Sequence, residues 1–418
     1  MSPTALAHAL PQSIGGLPLT VVLTVLLGAY LAVGAISTRR AAVQVSAGGE
    51  GVAAGSTAAA DGAPAIARPG EARPAAGQLV GVLLLGLIIA LATLGPADAG
   101  SNLTDQFVLS LLWGFVAISS ILVGAWWHRV DPMRGLAGVL AIAAGDTEQD
   151  LAHPLPQGLA TAAAVAGLMG WAWLQLVVHV SVTGFQVALM IYVVVHVAGA
   201  ARFGVTWLRQ VESLNVLSTT LGLLASGDGG PLQRLTAMVD EDRLRWISSA
   251  LIGWSLVDLL TETERWHDLG GPTWAGTVLL AIAVAALYGL IRGVSDRARL
   301  GPAFIAVAGG WVVAHYLSIL LIEGQGIPIW LSDPFATGAD LLGRRGDLID
   351  PEPLPTTLLA AMQALPFVAG HLAGVVVVQR RAARIVTRPG QLGPATFFAR
   401  SLIGVLLLLG VYLQLGGV

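Results

Sequence analysis

AFIAVAGGWVVAHYLSILLIE, residues 303–323, is the stretch that decides how this chain folds. It contains no Asp, Lys or Arg, and its one acid, Glu323, stands at its end. A hydrocarbon core of about 30 Å needs about 20 apolar residues in an α-helix, which rises about 1.5 Å per residue. The stretch therefore predicts a membrane-spanning helix, and His315 lies inside it.

Stretches of the same kind recur along the chain. It is 55% hydrophobic and only 11% charged, whereas soluble domains are about a quarter charged. We therefore expect an all-α, polytopic transmembrane helix bundle in the cell membrane, with the lipid bilayer as its surroundings. Ten crossings are predicted, at residues 17–36, 78–95, 106–127, 158–181, 184–204, 244–261, 273–292, 303–323, 356–378 and 395–416. The sixth carries Asp258 and several serines, so nine is the alternative count.

Arginine marks one side of the predicted bundle. Of the 22 basic residues, all but Arg265, Arg344 and Arg345 lie in or beside the loops after the odd-numbered helices. Cytoplasmic loops carry the excess of basic residues in membrane proteins. We therefore expect these loops in the cytoplasm and both chain termini outside.

The connections divide the chain into regions. Residues 1–40 hold the first transmembrane helix, and residues 41–77, rich in Ala, Gly and Pro, predict a flexible cytoplasmic linker. Residues 78–418 hold the nine-helix membrane bundle. Within it, segment 206–225 repeats apolar residues at intervals of three and four, which predicts an amphipathic helix at the cytoplasmic interface or a packed loop helix. Residues 324–355 form a long outer loop.

Several classes of function are excluded by absent residues and motifs. The chain has no cysteine, which excludes disulfides, thiolate nucleophiles and cysteine-ligated metals. Its small net charge of −3 gives no reason to expect a nucleic-acid partner, which would need clustered basic surface. The glycine-rich phosphate-binding motifs of nucleotide enzymes and the GxSxG motif of serine hydrolases are also missing.

Three histidines lie deep within predicted crossings, and a fourth, His179, lies nearer the outer end of the fourth helix. Ionisable groups there cost about 2.5–3.5 kcal/mol on insertion scales, so each one indicates a functional site. His196, His315 and His371 fall in the fifth, eighth and ninth helices. Neutral imidazole is the commonest metal ligand, and a pair of histidines can hold haem. We expect either a metal or haem site built from these histidines, or separate hydrogen bonds between neighbouring helices.

Polar residues also gather at the outer end of the eighth helix. Tyr316 and Glu323 are seven residues apart and share a helix face beside His315. A carboxylate and a hydroxyl in the following loop can turn back toward Glu323. The candidates for ligand binding are His315, Tyr316, Glu323, Gln325, Ser332 and Asp333. They predict acid–base chemistry or cation binding, with a water-satisfied outer cap as the alternative.

Several segments resemble a known family. GWVVAHYLSILLIEGQ (310–325), LSDPF (331–335), GADLLG (338–343) and AGHLAG (369–374) are similar to multi-pass membrane proteins of actinobacteria and relatives labelled fenitrothion hydrolase. WHRVDPMR (127–134) looks like the family's stretch after its third helix, although Asp131 and Met133 depart from it. LTET (260–263) stands where the family has Phe-Asp-Gly. The resemblance covers about residues 106–378. It implies a site that includes the candidates above together with Asp340 and His371.

Three functions follow from these observations. The first is binding of a metal, haem or small ligand in the outer half of the bundle, as a subunit of a redox or transport complex. The second is a transporter or channel gated by the outer loop, although no inverted repeat of hydrophobic segments is visible. The third is a membrane-embedded hydrolase, which the family label implies.

Overall fold

The computed structural model describes residues 19–48, 76–96 and 102–416, apart from gaps at 103, 105–106, 145–152, 179–180, 228, 264–265, 267, 269, 271 and 297. All regular structure in these residues is helical. The helices are α1 (Leu19–Gly48), α2 (Ala76–Leu94), α3 (Trp113–Val123), α4 (Pro132–Ala144), α5 (Gln157–Trp173), α6 (Val182–Phe203), α7 (Val205–Val211), α8 (Ser213–Leu221), α9 (Gly230–Ala237), α10 (Asp242–Thr261), α11 (Thr273–Ser295), α12 (Ala303–Ile322), α13 (Gly326–Ser332), α14 (Thr356–Ala383) and α15 (Leu392–Gly416).

Within the described part of the chain, eight helical spans are long and apolar enough to cross a membrane. They are Val21–Ser46, Ala76–Leu94, Gln157–Val178, Val182–Phe203, Thr273–Ser295, Ala303–Ser332, Thr356–Ala383 and Pro389–Leu413. The protein is an integral membrane protein, and the predicted all-α polytopic bundle is confirmed. The two remaining predicted crossings, the third and the sixth, differ from these spans.

The predicted third crossing, 106–127, is not one straight helix. The chain bends by 108° between Ser110–Val123 and Trp127–Leu140. Gly124 makes this turn with a φ of 90°, a conformation that glycine adopts without steric cost. The hydroxyl of Ser218 on α8 accepts hydrogen bonds from two backbone amides just after the bend, at 3.3 and 3.4 Å. A side chain from another helix thus satisfies backbone groups that the break leaves free.

The sixth predicted crossing is α10, which lies in the interior of the bundle. It is 20 residues long, and it packs against α5, α11, α12 and α15. Most of its side chains are buried, including polar ones such as Ser248, Ser249 and Asp258. Because its neighbours are protein helices rather than lipid, it carries polar residues that a lipid-facing helix could not. This explains why α10 is not among the eight apolar spans.

Helices α12 and α14 cross at close range. Gly310 on α12 faces Gly370 on α14, and a Cβ atom added at Gly370 would lie 2.6 Å from the carbonyl oxygen of Ala306. Small residues let two helix backbones approach closely within a membrane. The crossing sets Trp311 of α12 against Phe367 of α14, with ring centroids 4.9 Å apart.

Several predicted boundaries need correction. Helix α1 continues past the predicted end of the first transmembrane helix to Gly48, and residues 49–75 of the predicted linker lie outside the described residues. Segment 206–225 is not one amphipathic helix, because a break at Glu212 separates α7 from α8. Both helices are largely buried. The first part of the predicted outer loop 324–355 is helical, since it contains α13.

Candidate functional site

A carboxylate and an imidazole meet in the interior of the bundle. Helix α10 supplies Asp258 and α12 supplies His315, and Asp258 Oδ2 lies 2.9 Å from His315 Nδ1. The two side chains are only 3% and 9% exposed, respectively. Ionisable groups within a membrane protein are tolerated when they pair with one another in its interior. The contact therefore places an acid–base pair where neither group faces lipid.

Aromatic rings surround this pair. Trp254 lies one helical turn before Asp258 and meets Tyr316 edge to face, with ring centroids 5.8 Å apart. The Tyr316 ring in turn lies edge-on to His315 at 4.5 Å, and Trp113 of α3 packs against Trp254 at 5.4 Å. The Tyr316 hydroxyl is buried, and no described residue hydrogen-bonds to it. The site is thus enclosed on this side by apolar ring faces and one phenol.

Glu323 is a further ionisable group in the interior. It follows α12 directly and is 3% exposed, and neither of its carboxylate oxygens has a hydrogen-bond partner among the described residues. It comes eight residues after His315, which is about 12 Å along a helix axis, and it interacts electrostatically with that histidine. Asp258, His315 and Glu323 are therefore three buried ionisable groups arranged toward the predicted outer end of α12.

A polar contact links α12 to α14 close to this site. Gln363 Nε2 donates to the hydroxyl oxygen of Ser318 at 2.9 Å. That hydroxyl in turn donates to the carbonyl of His315 at 3.3 Å. Both Gln363 and Ser318 are buried. The contact fixes one turn of α12, the turn that carries His315, against α14.

The other candidate residues in the loop form hydrogen bonds within the loop. Gln325 Nε2 donates to the carbonyl of Asp350 at 3.0 Å, and the Ser332 hydroxyl accepts from the backbone amide of Arg344 at 3.2 Å. Asp340 accepts from the amide of Arg345 at 3.1 Å. None of these bonds reaches Glu323, so they give no support to a convergence of the loop polar groups on Glu323, which stays a prediction.

Asp333 is likewise part of the loop framework. Its carboxylate accepts hydrogen bonds from the amides of Thr337 and Gly338 at 2.8 and 2.9 Å, and Arg345 Nε lies 3.3 Å away. Burial by itself would raise the pKa of Asp333, but the two amides and the guanidinium outweigh it and lower the pKa below its ordinary value. The acid therefore stabilises the loop in its ionised form.

The predicted histidine trio does not come together. His196 Nδ1 accepts a hydrogen bond from Trp207 Nε1 at 3.2 Å, and His371 Nδ1 lies 2.8 Å from the carbonyl of Phe367, one turn earlier on α14. The described residues contain no group of three or more His, Asp or Glu side chains that could hold a metal ion. His196 and His371 thus make separate local contacts, the alternative that the sequence left open, while His315 pairs with an acid.

Sequence reasoning missed a further buried acid, Glu212, between α7 and α8. It is 1% exposed and accepts from Trp127 Nε1 at 3.1 Å, from the Tyr192 hydroxyl and from the amide of Asn215 at 2.6 Å. Burial raises the pKa of Glu212, although these donors act in the opposite direction. It also interacts electrostatically with buried Asp131. The sequence feature that could have revealed Glu212 is its position as an acidic residue within the apolar repeat of segment 206–225.

Comparison with known proteins gives no further assignment. No model of a protein family matches the chain, and neither does any curated protein or solved structure.

Proposed function

We propose that this integral membrane protein is a transporter that moves protons across the membrane, and that Asp258, His315 and Glu323 carry the proton through the outer half of the bundle. The observation that carries the proposal is the 2.9 Å contact between Asp258 and His315 deep among membrane helices. Chains of Asp, Glu and His in membrane interiors are typical of proton relays in pumps and transporters.

The pair supplies the chemistry that a relay needs. When Nδ1 of His315 carries a hydrogen, it donates to Asp258, which leaves Nε2 to take up and release a second proton. The carboxylate of Asp258 then neutralises the imidazolium that forms, so the proton enters the interior without leaving an isolated charge there. Glu323 provides a second group that can bind a proton on the way to the predicted outer surface.

A break in one helix also favours a transporter. The chain bends by 108° after Val123, between two helical segments of the bundle. Non-helical backbone at membrane depth occurs where protein or a water-filled cavity surrounds it, and broken helices form the binding sites of many transporters.

Proton flux into liposomes tests the proposal. The full chain is reconstituted with a pH-sensitive dye inside, and a potassium gradient with valinomycin sets the membrane potential. We expect flux above that of empty liposomes, and we expect Asp258→Asn, His315→Gln and Glu323→Gln each to reduce it to near the empty-liposome rate. Asp347→Asn is the control, because this acid is exposed in the loop. A wild-type protein without flux, or variants with full flux, would contradict the proposal.

One feature favours a hydrolase as the second candidate. An acid bound to Nδ1 of a histidine leaves Nε2 to act as a general base, which is the arrangement used by Ser-His-Asp enzymes. The resemblance to the family labelled fenitrothion hydrolase points the same way. Turnover of phosphotriesters by the purified protein, with His315→Ala and Glu323→Gln as variants, tests it. Equal turnover in all three proteins would remove both residues from such a mechanism.

A further inference from the structure

A groove lies between α1 and α14 at the arginine-rich end of both helices. Its volume is about 290 Å³. On α1 it is lined by residues at helical spacing that include Val33, Ile36 and Arg40, and on α14 by Val376 and Arg380. Arg40 comes seven residues after Val33, about 10 Å along the axis, and Arg380 four residues after Val376, about 6 Å. The groove thus combines apolar side chains with two arginines, and Ser37, Ala41 and Gln44 complete its lining.

The two arginines are available to a ligand. Both side chains are exposed, and neither forms an ion pair with a carboxylate of the described residues. The next residue, Arg381, has a different role. It is buried and donates to the carbonyls of Leu235 and Met238, both at 2.8 Å. Arg381 thus fixes α14 to the end of α9, while the exposed Arg380 lines the groove.

We infer that this groove binds an anionic phospholipid, with the phosphate between Arg40 and Arg380 and an acyl chain along Val33, Ile36 and Val376. The guanidinium groups match a phosphate in charge and hydrogen-bonding geometry. A soluble anion would leave the apolar wall uncovered, whereas an acyl chain covers it. Basic pockets between transmembrane helices on the cytoplasmic side are suited to anionic head groups, and the distribution of arginine predicts that this end is cytoplasmic.

Native mass spectrometry of the purified full chain tests the inference. Phosphatidylglycerol and phosphatidylcholine are added separately to the detergent-solubilised protein, and the retained lipid is counted over a concentration series. We expect a preference for phosphatidylglycerol that weakens about fivefold in Arg40→Gln and in Arg380→Gln, and roughly 25-fold in the double variant. Arg380→Lys should keep most of the affinity, because it keeps the charge. Arg39→Gln is the matched control, since it removes the same charge one residue away and outside the groove.

The outcomes separate the alternatives. Loss of affinity in the groove variants but not in Arg39→Gln supports the site. Equal effects of Arg39→Gln and Arg40→Gln would mean that general surface charge attracts the lipid, and would overturn it. Displacement of the lipid by millimolar inorganic phosphate would show a soluble anion site instead. Equal retention of both lipids by the wild-type protein would also refute the inference. Unchanged thermal unfolding of each variant in detergent confirms that the comparison is made on folded protein.

Discussion

Replacing Gly370 with alanine tests the tight crossing of α12 and α14 that holds the polar interior together. The added Cβ would lie 2.6 Å from the carbonyl oxygen of Ala306 and 2.8 Å from the Cα of Gly310. Both contacts are with backbone, so no side chain can rotate away, and the helices must separate by roughly 0.8 Å to reach ordinary contact. A gap of that size forfeits a quarter to a half of the dispersion attraction across it. Overpacked sites typically lose about 1–3 kcal/mol.

Gly289→Ala is the matched control for this change. Gly289 lies inside α11, and a Cβ there would meet nothing within 4 Å. Both substitutions gain the same helix propensity, about 1 kcal/mol. The difference between the two free energies of unfolding is therefore the overpacking cost, about 1–3 kcal/mol, with Gly370→Ala the less stable. Reversible unfolding by dodecyl sulfate in mixed micelles measures it. Equal stability of the two variants would refute the close approach of the helices.

Two further predictions concern acids outside the proposed relay. Tyr192→Phe removes a donor to buried Glu212 and should cost about 1.5–3 kcal/mol in the same unfolding titration. Tyr288→Phe, which removes a hydroxyl bonded to an exposed acid, should lower the free energy of unfolding by less than about 0.5 kcal/mol. Equal losses of stability in the two variants would contradict the view that burial makes the bond to Glu212 the more valuable one. The folded-state pKa of Asp333 is lowered, so its stabilisation of the outer loop is complete above the ordinary pKa of 3.8 and is lost as pH falls through the folded-state value. Cleavage of the loop by pepsin should increase in the wild type as the pH falls from about 4 to about 2. The loop of Asp333→Asn should be cleaved readily at both pH values. An unchanged rate of cleavage in the wild type would contradict the role of ionised Asp333 in stabilising the loop.

The fold follows from the sequence where helices face lipid. Crossings such as 184–204 and 273–292 are visible because lipid contact demands an apolar surface over the full length of a helix. The sequence signal can weaken where a helix is enclosed by protein, because polar groups are tolerated there when they are paired. Helix α10 contains Ser248 and Asp258 for this reason. These polar residues are also why the sequence leaves nine crossings as an alternative to ten. The bend at Gly124 was not predicted, because a glycine in an apolar run is also common in straight helices.

The candidate site could be predicted only in part. His315 and Glu323 stand out because ionisable residues are rare in apolar runs. The partner of His315 could not be deduced, since the contact with Asp258 depends on how α10 and α12 are rotated about their axes. Ser332 and Asp333 were assigned to the site from their types and proximity along the chain. Their hydrogen bonds go instead to nearby loop amides, as is typical of these side chains at turns.

The burial of α10 among other helices has a consequence for how the protein enters the membrane. A segment with Asp258 and several serines gains little free energy by moving from the insertion machinery into lipid without other helices around it. Each of its polar groups opposes transfer into lipid. Two of its main neighbours, α11 and α12, are synthesised after it. We therefore expect α10 to stay near the aqueous channel until those later helices emerge and to move into the bilayer together with them. Assembly of this bundle is then cooperative during synthesis, rather than helix by helix.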